Sequence, residues 1–64
     1  MNDFAPGVRR ILRENGFEFL RGGKGDHEIW HHPSAGTKVT VDGKIKSRHT
    51  ANKIMKDAGL PKAF

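Results

Sequence analysis

Glycine-bearing breaks set the first limit on what this chain can fold into. Asn15-Gly16, Gly22-Gly23-Lys24-Gly25, Ser34-Ala35-Gly36, Asp42-Gly43 and Gly59 with Pro61 recur at short intervals along 64 residues. Each is a turn or stop signal, so only short elements fit between them. No repeat, low-complexity tract or linker interrupts the series, and residues 1–64 read as a single domain. With 34% hydrophobic residues the core is lean, and a domain of this size buries only roughly 60% of the surface its unfolded chain exposes. The absence of cysteine removes disulfides and thiolate zinc sites.

The segments between breaks have distinct periods. Phe4, Val8, Ile11 and Leu12 form one apolar stripe at helical spacing. Arg9, Arg10, Arg13 and Glu14 fall on the other side. Asn2 or Asp3 can cap this helix, and Pro6 fits only its first turn. Gly16 ends it and lets Phe17 pack back on Leu12. Three strands are expected next, Phe17–Arg21, His27–His31 and Thr37–Val41, joined by connections of hairpin length. In this reading Phe17, Phe19, Ile29, Val39 and Val41 face the helices, with Trp30 and Leu20 on the opposite face. Ser47 then caps a second helix carrying Ala51, Ile54, Met55 and Ala58, which Gly59 closes with Leu60 against Met55. The expected fold is α+β, an α-β-β-β-α two-layer domain with two helices on one face of a three-stranded antiparallel sheet.

Twelve Lys and Arg against seven Asp and Glu leave a net charge of +5. That balance favours a polyanionic partner, nucleic acid ahead of an acidic membrane surface. No apolar run approaches the roughly 18 residues of a membrane span. The start, acidic then basic with no apolar stretch, is unlike an ordinary signal peptide. A cytoplasmic protein is expected, and the size argues against a metabolic enzyme with a large cofactor pocket.

Three features can carry chemistry. In Gly22–His27, three glycines let backbone N–H groups approach a phosphate, Lys24 adds a cation, and His27 can move a proton near neutral pH. Asp26 can orient the His27 ring. A plain glycine hairpin with a surface histidine is the competing reading. Lys44, Lys46, Arg48 and His49 crowd the start of the last helix, where cations oppose the helix dipole. That placement suits a bound phosphate, with Lys53 and Lys56 extending the basic face; a solvated basic face is the alternative. Histidines 31 and 32 point to opposite faces of a strand, and His27 and His31 lie about 13 Å apart along it, so no metal site is expected. Trp30, if exposed, offers a contact to a protein partner or a base.

The ordered set Ile11-Leu12, Asn15-Gly16-Phe17-Glu18-Phe19, Arg21, Gly25-Asp26-His27, Ile29, Trp30, His32-Pro33, Val39-Thr40-Val41, Thr50 and Ile54–Leu60 resembles the HicA family of bacterial toxins across nearly the whole chain. These are small mRNA interferases of type II toxin–antitoxin pairs. The resemblance implies a double-stranded-RNA-binding-like fold, and it gives the family's catalytic histidine to His27 after Gly25 and Asp26. Many members have Ser where Asp26 stands, and several carry a second His where Glu28 stands. Asp42–Lys46 also replaces a longer segment containing Pro and His. These departures bear on pH optimum, sequence preference and the second catalytic group.

What the resemblance implies is an endoribonuclease that needs no metal or other cofactor. The RNA 2′-hydroxyl attacks its neighbouring phosphate, and His27 serves as general base or acid. Lys24, Gly25, Lys44, Lys46, Arg48, His49 and Lys53 are expected at the phosphate-binding surface. The second proton-transfer group is left open among His49, Asp26 and water. A HicB-type antitoxin is implied as partner, with Trp30 as an anchor. The alternatives are a non-catalytic RNA-binding module of the same fold and a subunit that only engages a protein.

Overall fold

A computed structural model describes residues 3–64. Helix α1 (Ala5–Glu14) leads into strands β1 (Glu18–Gly22), β2 (Glu28–His32) and β3 (Thr37–Val41), and helix α2 (Arg48–Asp57) closes the order. The sheet is antiparallel with strand order β1-β2-β3. This is the expected α-β-β-β-α architecture, consistent with a double-stranded-RNA-binding-like domain.

The helix ends follow from local chemistry. Phe4 occupies the α1 cap position but has no side-chain oxygen to cap it. Asp3, one residue earlier, supplies it by accepting the Ala5 N–H at 3.0 Å. Asn2, the other candidate, lies outside the described residues. Gly16 at φ +87° and the Phe17 N–H donated to the Leu12 carbonyl at 2.9 Å end α1. Ser47 Oγ accepts the His49 N–H at the start of α2. Gly59 and the Leu60 N–H on the Met55 carbonyl repeat the C-terminal device at its end.

The core joins Ala5, Val8 and Leu12 of α1 to Trp30, Val39 and Val41 of the sheet and to Ala51, Ile54 and Met55 of α2. Ile45, in the β3–α2 connection, fills the same core at 1% exposure. Its backbone is fastened on both sides: the Phe4 N–H donates to its carbonyl at 2.7 Å, and its own N–H donates to Asp3 Oδ1 at 3.1 Å. At the far end, Asn52 pairs with the Phe64 backbone through Nδ2 and Oδ1, and the Phe64 ring stands edge-on to Phe4.

The sheet corrects one expectation. Trp30 lies opposite Val39 and is 3% exposed, on the helix side. Ile29 lies opposite Thr40, so the outer face takes Ile29 and not Trp30. Alternation could not separate two adjacent apolar residues. Burial favours the larger side chain, and the indole N–H finds a carboxylate, Glu28 Oε1, at 2.9 Å. Phe19 and Leu20 both remain exposed, at a bulge between Phe19 and Arg21.

Candidate active site

The site grows out of the β2–β3 register. Glu28 pairs with Val41, so His27 and Asp42, one step beyond on each strand, lie across from one another at the sheet end. His27 Nδ1 stands 2.8 Å from Asp42 Oδ1, with side chains 51% and 42% exposed. Nδ1 thus faces the carboxylate, and Nε2 makes no hydrogen bond among the described residues. The carboxylate against the ring is that of Asp42; no hydrogen bond or ion pair joins Asp26 to His27 among the described residues.

Asp26 and Gly43 bring the two segments into close approach. A Cβ on Gly43 would lie 2.5 Å from the Asp26 Cβ and 2.9 Å from its carbonyl oxygen, so only glycine permits this approach. Within the loop, Gly23 donates its N–H to the His27 carbonyl at 2.7 Å, and the His27 N–H donates to the Lys24 carbonyl at 3.3 Å. Gly25 turns at φ +68°.

Beneath this pair lies a polar brace. Arg9 Nε donates to Glu28 Oε1 at 3.1 Å, and Nη2 donates to the Gly43 carbonyl at 3.4 Å. Glu28 also accepts the Trp30 indole N–H. That bond, with the Arg9 cation, holds the Glu28 carboxyl below its ordinary value of 4.5. Glu28, which stands where several relatives carry a second histidine, thus joins α1 to the strand that begins beside His27.

Lys24 is exposed on the glycine loop, and Lys44, Lys46, Arg48 and His49 are exposed at the entry to α2. Among the described residues none of these makes a hydrogen bond or ion pair with His27. Lys53 is exposed one turn further on and ion-paired with Asp57 at 3.2 Å. A groove of about 410 Å³ runs between β3 and α2 from Asp42 to Asp57, with Lys38, Thr40, Thr50 and Lys53 on its walls. Trp30, expected as a partner contact, is withdrawn into the core. His32 Nδ1 accepts the Ala35 N–H, and its ring packs edge-on against Phe17.

The residues missed by sequence reasoning are Asp42, Arg9 and Gly43. The signal for Asp42 was present: with a tight turn at Ser34–Gly36, residues 27 and 42 fall opposite one another once residues 28 and 41 are paired. Arg9 carried no such signal, because its partners lie 19 and 34 positions away.

A basic α-β-β-β-α domain with a histidine–carboxylate contact at the sheet end is a small domain of double-stranded-RNA-binding-like fold with a polar site. The family described as HicA toxin of bacterial toxin–antitoxin matches residues 7–60. The chain belongs to the HicA family and is a toxin of a toxin–antitoxin system, which implies an antitoxin partner. Comparison with curated proteins and with solved structures gives no match. No helix among the described residues is long and apolar enough to cross a membrane.

Proposed function

We propose that this toxin is an endoribonuclease that cleaves mRNA without a metal, with His27 as its catalytic residue. The observation that supports it most is the half-exposed His27–Asp42 pair, with Nε2 free of hydrogen bonds among the described residues. His27 Nε2 takes the proton of a ribose 2′-hydroxyl as O2′ bonds to the adjacent phosphorus. The P–O5′ bond breaks, leaving a 2′,3′-cyclic phosphate and a 5′ oxygen that takes up a proton. His49, Asp26 or water donates it, and the proton on His27 passes to solvent. Lys24 and the Gly25 N–H lie on the His27 loop, while Lys44, Lys46, Arg48, His49 and Lys53 line the approach along α2 and bind phosphates. Asp42 acts through His27 as a positioning residue.

The partner is a HicB-type antitoxin with an acidic surface that answers the +5 charge, and both act in the cytoplasm. Purified protein is incubated with labelled single-stranded RNA in EDTA, wild type beside His27→Ala. Cutting by the wild type, with a variant that binds but does not cut, is the expected result. Equal cutting by both removes His27 from the chemistry. Binding without cutting by both leaves the RNA-binding module.

A further inference from the structure

Strand β1 is an edge of the sheet, and all five of its residues are exposed. It carries the exposed large hydrophobic side chains of the described residues, Phe19 at 54% and Leu20 at 39%. Edge strands are commonly guarded by charges, proline or bulges; β1 has no lysine or proline but carries Glu18, Arg21 and a bulge. The other edge, β3, carries Lys38 and borders the groove under α2.

The bulge changes which β1 side chains share a face. Glu18 lies opposite His31, and Arg21 lies opposite Ile29. His31 and Ile29 are two positions apart and therefore share a face of β2; their partners share it with them. Glu18 and Arg21 are thus on one face although three positions apart, a spacing that puts residues on opposite faces of a regular strand. Between them lie the two apolar residues. The segment Glu18-Phe19-Leu20-Arg21 is complementary to itself when run antiparallel, acid against base at its ends and apolar at its centre.

We propose that β1 pairs antiparallel with β1 of a second copy, about a two-fold axis between Phe19 and Leu20. Glu18 then faces Arg21 of the partner subunit, and Arg21 faces Glu18 of the partner subunit. The three-stranded sheet doubles across the axis. Such pairing requires opposite residues on one face, a condition that Glu18 and Arg21 meet only through the bulge. Glu18 is 70% exposed and 3.9 Å from His31 Nε2, so its carboxylate is available to a second contact. The edge is short, and the interface falls below the roughly 1,200 Å² of a standard complex, so association is weak.

Sedimentation velocity on the full chain, without RNA, tests this from about 10 µM to about 1 mM, where weak association registers, in about 0.15 M salt to screen the net charge. The wild type is expected to rise toward twice the monomer mass. Glu18→Arg and Arg21→Glu each place like charges opposite and are expected to weaken association at least about tenfold, or 1.4 kcal/mol. The double swap restores both ion pairs and is expected to associate like the wild type. Circular dichroism checks that all four proteins are folded. A wild type that stays monomeric at the top concentration overturns the proposal and leaves the edge to another occupant. Single variants that associate as the wild type does, or a folded double swap that fails to, overturn it equally.

Discussion

At the residue scale, the proposed chemistry depends on one close contact, Asp42 on His27, and one missing methyl group. In the proposed mechanism Asp42, 2.8 Å from Nδ1, keeps the His27 proton on that nitrogen. Asp42→Asn is expected to lower cleavage about tenfold to a hundredfold while His27 remains, a loss no larger than the lower end of the roughly 10²–10⁴-fold that positioned proton transfer supplies. Long-range nitrogen-15 correlation spectra of His27 check this without RNA: the Nδ1-protonated form should dominate in the wild type and give way to the Nε2-protonated form in Asp42→Ala. Spectra unchanged by the substitution would remove Asp42 from the site. Gly43→Ala should cost about 1–3 kcal/mol, as overpacking does, because the added methyl meets Asp26 backbone as well as its side chain; a denaturant titration measures it.

At the element scale, α1 is tied to the sheet by the Arg9–Glu28–Trp30 brace and to the β3–α2 connection by Asp3. The Glu28 carboxyl is held below 4.5, first by the Trp30 N–H and then by Arg9. A depressed carboxyl contributes stability that is complete above the unfolded value and is lost as pH falls through the folded one. Asp3 behaves alike, its carboxyl lowered from 3.8 by the N–H groups of Ile45 and Ala5. Melting temperatures from pH 6 down to about pH 3 should therefore fall further for the wild type than for Glu28→Gln, whose neutral amide has no proton to gain. Parallel curves would dissociate the brace from acid sensitivity. These elements were largely legible beforehand. The stripe Phe4–Leu12, the Gly16 and Gly59 stops and the β-branched run Thr37–Val41 are local signals, and local chemistry decides them. The faces of β2 were not legible, because Ile29 and Trp30 are adjacent and only the Glu28 carboxylate made the indole the better buried group. Ile45 was missed for a similar reason: a lone apolar residue between two lysines has no period.

At the scale of the whole molecule, positive charge is organised by the core. Burial of Ile45 pins the chain between Lys44 and Lys46, both exposed. In RNA binding, the plot of log affinity against log salt should be steep, and Lys46→Ala with Arg48→Ala should reduce its slope by about 1.4 if each contacts one phosphate of a single strand. An unchanged slope would place the RNA elsewhere. Of the candidate site, the loop and the basic helix start were legible because glycine clusters and misplaced cations stand out in one dimension. The Asp42 contact needed a further step, since residues 27 and 42 meet only once the hairpin sets residue 28 opposite residue 41.

The Gly43 contact has a consequence for genetics. A selection for cells that survive the toxin without its antitoxin samples every way of silencing it. Position 43 carries no side chain and no chemistry, yet every replacement there introduces a Cβ that crowds the segment holding His27. Escape lesions should therefore gather at this glycine as readily as at the histidine, and they would be misread as marking a second reactive group.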